Sequence, residues 1–116
     1  VPSVEFKNLI IKYFINAGIA AAASFSNEWD TDADYILRHI FVKADGVAAT
    51  KSTITIRIDN VPLTKDRSLC NIFGSNAEDA ILLSINMPKG TKIDYEGTNN
   101  EGATKDFTVE LVMEKV

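Results

Sequence analysis

Five consecutive residues, Asp30-Thr31-Asp32-Ala33-Asp34, bring three carboxylates together at a spacing of two. Ca²⁺ takes oxygen ligands, and alternating aspartates can supply several of them from a short stretch. Asp30, Asp32 and Asp34 are therefore the candidate calcium ligands, with a solvated acidic loop as the alternative. No other cofactor is implied. Trp29, the one tryptophan, stands directly before them. An indole in a polar loop can stack on the apolar face of a sugar, so Trp29 is the candidate ligand-stacking residue. Tyr13, Tyr35 and Tyr95 could widen that platform, or belong to the core or a subunit contact.

The remaining chemistry is sparse. The acidic stretch resembles the opening of an EF-hand loop and then departs from it. Tyr35 stands where that loop needs Gly, and Phe41 where it needs the bidentate Glu. Nucleophilic catalysis needs an activated Ser or Cys beside a base. His39 is the only histidine, set among apolar residues in a strand pattern, and no Gly-x-Ser-x-Gly elbow occurs. Pro88-Lys89-Gly90-Thr91 lacks the earlier glycine and the following helix of a phosphate-binding loop, and reads as a turn. Sixteen acidic residues make chance carboxylate pairs certain, but so small a domain offers little wall for a glycosidase cleft. The sequence therefore predicts no enzyme.

Composition narrows the classes further. A chain of 116 residues, 46% hydrophobic and 24% charged, is one globular domain, 1–116. Its net charge is −4, and its twelve Lys and Arg are scattered, so nucleic acid is not expected as a partner. Cys70 is the single cysteine, so no disulfide forms within the chain; its expected role is a small buried apolar side chain. No Asn-x-Ser/Thr sequon occurs. The opening Val1-Pro2, without Met, suggests a processed or trimmed product, or an initiator omitted.

The elements that must carry these residues are strands. Ile81, Leu83, Ile85 and Met87 alternate with Leu82, Ser84 and Asn86; Ile93 and Tyr95 resume the alternation. After the polar connection Gly97–Gly102, Phe107, Val109, Leu111 and Met113 alternate again. A period of two punctuated by Gly, Pro and Asn predicts antiparallel strands. Thr53 to Asp59 is another, with Ile54, Ile56 and Ile58 inward. Tyr35 to Lys43 reads as a strand apolar on both faces, with Ile36, Ile40 and Val42 beside Arg38, and Tyr35, Leu37 and Phe41 beside His39. Such a strand is covered twice or forms a subunit contact, which makes Tyr35, Leu37 and Phe41 the candidate assembly face. Ser26 to Asp34 reads as a polar loop, and Leu63 to Asn76 as irregular with a short strand near Leu69–Phe73.

Residues 4–25 are ambiguous. As a helix they are interrupted by Lys7, Asn8, Lys12, Asn16 and Gly18, so no membrane span is expected. Glu5 near the start resembles type IV pilins, but Pro2, Lys7, Lys12 and Asn16 do not suit their continuous apolar helix. As strands, Leu9, Ile11, Tyr13 and Ile15 face one way and Ile10, Lys12, Phe14 and Asn16 the other. Asn16-Ala17-Gly18 would bend the chain into a second strand, Ile19 to Phe25, although Ala20–Ala23 favours helix. Residues 1–16 then form an N-terminal arm or edge strand.

Seven or eight short strands at this size predict an antiparallel two-sheet β-sandwich of jelly-roll type. From Ile19 to Val116 the pattern resembles small single-jelly-roll proteins of viral and phage particles. The resemblance rests on Phe25–Trp29 leading into Asp34–Ile40, then Ile54–Leu63, then Met87–Ile93, and the strand ending at Met113. It implies a capsid, vertex or decoration protein, a symmetric homo-oligomer that contacts other coat proteins, located in a virion or outside cells. The alternatives are a secreted carbohydrate- or calcium-binding module and a filament or pilus subunit joined by N-terminal strand donation.

Overall fold

A computed structural model describes residues 9–64, 68–73 and 83–116. Among them are ten strands: β1 (Leu9–Ile19), β2 (Ser24–Asp30), β3 (Tyr35–Ala44), β4 (Val47–Ala48), β5 (Thr53–Ile58), β6 (Val61–Pro62), β7 (Ser68–Leu69), β8 (Ile85–Met87), β9 (Lys92–Thr98) and β10 (Lys105–Lys115). They form two antiparallel sheets packed as a sandwich. One runs β1-β10-β3-β4, with β8 also on β3; the other runs β2-β9-β5-β6, with β7 also on β5. The pairs nest: β1 with β10, β2 with β9, β3 with β8, β5 with β7. Successive pairs fall in alternate sheets.

The inward positions of both sheets make one core. Leu37, Ile40, Val42, Phe107, Val109, Leu111 and Met113 come from the first sheet; Phe25, Ile54, Ile56, Ile93 and Tyr95 come from the second. Aromatic rings occupy its middle. Phe25 stacks on Phe107 at 4.3 Å between centroids, and Phe14 meets Tyr95 edge-on at 5.5 Å. Phe25 lies directly across from Gly97 in register. A Cβ on Gly97 would sit 2.4 Å from the Phe25 ring and 2.7 Å from the Thr53 carbonyl oxygen. The glycine is what lets the ring fold over β9.

Several sequence expectations change. Residues 9–19 are one strand, and the Asn16-Ala17-Gly18 bend is a bulge inside it, where the register with β10 shifts. Gly18 takes φ +66° there and donates its N–H to Asp106 at 2.7 Å. The second strand predicted at Ile19–Phe25 is instead a turn followed by β2. Ala22 has φ +65°, and the turn is clamped from outside. The buried Asn99 amide donates to the Ile19 carbonyl at 2.9 Å and to Ala103 at 2.8 Å, while Ala22 N–H donates to Asn99 O at 2.7 Å. The polar stretch Ser26–Asp34 is mostly strand, because β2 needs only Phe25 and Trp29 to reach inward while β9 supplies its ladder. Near Leu69–Phe73 the chain forms the two-residue β7 and then a 3-10 turn, Cys70–Phe73. The strand expected from Ile81 is described only as Ile85–Met87; residues 1–8, 65–67 and 74–82 lie outside the described residues.

Gly97→Ala is expected to cost about 1–3 kcal/mol, the usual range for overpacking a tight core. Urea unfolding checks it: the midpoint falls while the slope stays unchanged.

Candidate functional site

The three aspartates do not converge. Asp30 ends β2, exposed, opposite Lys92. Asp32 accepts the Tyr35 hydroxyl at 2.5 Å, and Asp34 accepts the Lys89 N–H at 2.8 Å. That hydroxyl bond holds the Asp32 carboxyl below its ordinary value and pushes the Tyr35 phenol up. Thr31 sews the same loop to the Pro88–Thr91 turn. Its hydroxyl donates to Pro88 O at 2.8 Å and accepts the Thr91 N–H at 2.9 Å. The acidic loop is thus tied down by its own chain. Among the described residues, no three His, Cys, Asp or Glu side chains gather where they could hold a metal ion.

Trp29 lies in β2 rather than in a loop. It is half-buried against the core, 5.9 Å from the Tyr35 ring, with the Lys12 ammonium 5.1 Å above its own ring. Tyr35 and Tyr95 are buried, one in each sheet, while Tyr13 is exposed on the outer face of β1, so the four aromatics make no common platform. The candidate assembly face also divides. β3 carries an extra residue at Arg38–His39, where its register with β10 shifts. Before it, Tyr35 and Leu37 point into the core; after it, Ile40 and Val42 do. Phe41 is left on the outer surface, stacked on His39 at 6.2 Å. Cys70 is fully buried, and burial, with help from Glu101, pushes its thiol up to about 12. That is far from the thiolate a nucleophile needs.

The feature sequence reasoning passed over is the orientation of β1. Its alternation is as expected, but the more apolar row faces solvent. Leu9, Ile11, Tyr13 and Ile15 are 38%, 49%, 54% and 67% exposed. The opposite row is held inward by polar as well as apolar contacts. Phe14 enters the aromatic cluster, and Lys12 lies 5.6 Å over its ring. Asn16 accepts the Tyr95 hydroxyl and donates to the Ser26 carbonyl at 2.9 Å, joining the two sheets. Beside the exposed row, β10 and β3 neutralise each other: Arg38 binds Glu114 at 2.8 Å, and Lys43 binds Glu110 at 3.3 Å. The outer face of this sheet therefore has paired charges on its inner strands and an uncharged row at its edge.

Glu101 anchors the far end of the sandwich. Burial pushes its carboxyl up, but bonds from the Ser52 hydroxyl and from the Lys51 and Ser52 N–H groups together outweigh burial and hold it below its ordinary value.

No protein-family model matches the chain, and no curated protein is significantly similar to it in sequence. Among solved structures, 93% of the chain aligns with dimeric latent PorU from Porphyromonas gingivalis, at 8% identity and a TM-score of 0.34. The chain spans 13% of the length of that protein's chain. So slight a likeness bears on neither family nor function. No helix among the described residues is long and apolar enough to cross a membrane.

Two measurements test these contacts. Asn16→Ala strands the buried Tyr95 hydroxyl and should cost about 1–3 kcal/mol in urea unfolding. Glu101 has a lowered native pKa, so its stabilisation is complete above the unfolded value near 4.5 and is lost as pH falls through the native one. Glu101→Gln should lower stability at neutral pH and flatten its fall as pH drops below about 5, read from melting profiles against pH.

Proposed function

We propose that this chain is a non-enzymatic structural subunit that self-assembles, of the kind that builds capsid shells, vertex pieces or decoration proteins of virus particles. Its sandwich is then a jelly roll. The nested pairs β1·β10, β2·β9, β3·β8 and β5·β7 support that topology. A long hairpin wound so that successive pairs alternate between sheets produces the two Greek keys of a jelly roll.

The observation that carries the assembly reading is the uncharged row Leu9, Ile11, Tyr13 and Ile15 on an eleven-residue edge strand. Proteins guard such an edge with charge, proline, a bulge, a short strand or a covering segment; β1 has a bulge near its end and an inward Lys12, but no charge on its outward row. Exposed apolar residues scattered singly are ordinary, but a contiguous row along one strand marks a contact surface. The engagement of Trp29, Asp32 and Asp34 within the fold favours assembly over sugar or calcium binding. Nine register positions tie β1 to its own β10, which favours an edge that adds a neighbour over an arm that leaves the domain. Other coat proteins are the further partners on this reading, and a virion or extracellular location follows from it.

Light scattering on a sizing column, run with calcium and again with chelator, tests it. A discrete oligomer or closed particle in both conditions is the expected result. A monomer at every concentration and in both conditions overturns autonomous assembly. Oligomers that need calcium would instead favour the binding module.

A further inference from the structure

We propose that β1 pairs edge to edge with β1 of a second copy, antiparallel across a two-fold axis at Tyr13, so that the two β1-containing sheets become one. The inference rests on the reading of the chain as a self-assembling subunit and specifies the contact.

The two long edges of the sandwich are built differently. β1 closes one sheet and β2 the other. The exposed positions of β2 are Ser24, Ser26, Asn27, Glu28 and Asp30, polar or charged throughout. Those of β1 from Leu9 to Ile15 are Leu, Ile, Tyr and Ile. The other outer strands, β4, β6, β7 and β8, have two or three residues each. Only β1 among the described strands offers a long edge whose outward row carries no charge, its one charged residue, Lys12, being turned inward.

Charge identifies the occupant. A row with no charge offers nothing to a partner of opposite sign, but it is complementary to itself, as a two-fold contact requires. Charge also selects the edge over the face. Packing the outer faces of two sheets together would take Arg38–Glu114 and Lys43–Glu110 out of water, and desolvating paired ions is costly. Edge pairing leaves both in solvent. Edge pairing covers the flanks of this row and the free backbone edge of β1 and leaves the outward surface of the side chains in solvent, so the contact is a small one, of the weak class. A contact of that size dissociates on dilution.

Lys12 sets the register. Opposing residues must share a face, so the strand can shift only in steps of two. Centring the axis on Lys12 would set the two ammonium groups against each other, and like charges directly opposed destabilise a sheet. Moving the axis one residue along centres it on Tyr13. Ile11 then opposes Ile15 of the partner subunit, Tyr13 opposes its counterpart, and Lys12 opposes Phe14 of the partner subunit. Each ammonium already sits over Phe14 of its own chain, so a second ring continues that environment.

Cysteine crosslinking of the full chain reads the register directly. Opposed strand residues lie within the roughly 4.4–6.8 Å that a disulfide spans between Cα atoms. Tyr13→Cys should oxidise to a covalent dimer. Ile11→Cys and Ile15→Cys should each stay monomeric alone and crosslink when mixed. Cys70, buried in the core, does not compete. Ile11, Tyr13 and Ile15 are exposed, so their variants should melt close to the parent, which circular dichroism checks, whereas Lys12→Cys also gives up the contacts with Phe14 and Trp29 and is read only for its crosslink. Crosslinking of Lys12→Cys or of Ile11→Cys alone, without Tyr13→Cys, overturns the register. An oligomeric parent whose variants crosslink at none of these positions overturns edge pairing and leaves the structural-subunit reading standing. A parent that is monomeric at every concentration overturns both.

Discussion

The orientation of β1 depends on a small polar junction inside the sandwich. Asn16 takes the Tyr95 hydroxyl on one side of its amide and gives a hydrogen to the Ser26 carbonyl on the other. A strand turned over by one residue would bury Leu9, Ile11, Tyr13 and Ile15, and hydrophobicity alone prefers that arrangement. It would also pull Phe14 out of the aromatic cluster, take Lys12 off the Trp29 and Phe14 rings, and strand the Tyr95 phenol. Burying a hydroxyl without a partner costs about 1–3 kcal/mol, comparable to the burial of one large apolar side chain at about 1.5–3 kcal/mol. The inward row therefore wins by acting together. Ring packing, a cation over two rings and a bridging amide all require the same face.

Once that face is fixed, the outer surface of the sheet follows. β10 sets Glu110, Val112 and Glu114 outward, and β3 answers with Lys43, His39 and Arg38. These charges are spent between the two inner strands, and none of them reaches the outward row of the edge, whose strand has only the inward Lys12. The bulge at Arg38–His39 is part of the same arrangement. By inserting one residue it returns Ile40 and Val42 to the core and turns Phe41 to the outer face, where it stacks on His39. A regular β3 would bury Phe41 with Tyr35 and Leu37.

Much of the fold was legible in the alternation. β5, β9 and β10 follow from Ile, Tyr, Phe and Val at every second position, and those strands carry most of the second half of the core. What stayed hidden obeys tertiary causes. β2 reads as a loop because Ser, Asn, Glu and Asp disfavour strands, yet pairing with β9 and two inward aromatics suffice to hold it extended. The Ala20–Ala23 turn carries no turn residue at all; its signal lies eighty residues on, in the side chain of Asn99. The acidic stretch looked like a site because its carboxylates are evenly spaced. That spacing ends with the strand at Asp30, and each later carboxylate is used separately by a local hydrogen bond. The exposed row of β1 was visible as a row, but which row faces water was set by Asn16 and Tyr95, far apart in sequence.

A two-fold contact at β1 has a consequence for any larger assembly. An isologous interface closes on itself, so it yields a dimer and nothing further. A shell or ring built from such dimers needs a second contact between unlike surfaces. The described surface offers no second row like that of β1: its other large exposed apolar residues, Val47, Val61, Leu69, Ile72 and Val116, stand on two-residue strands, on the 3-10 turn and just past β10. They carry no common alternation that a partner strand could read. A decoration protein meets this condition most simply, because the particle it coats supplies the second surface. The proposed capsid and decoration roles thus differ in one physical respect. A capsid subunit must hold both contacts in its own chain, whereas a decoration subunit needs only the one at β1.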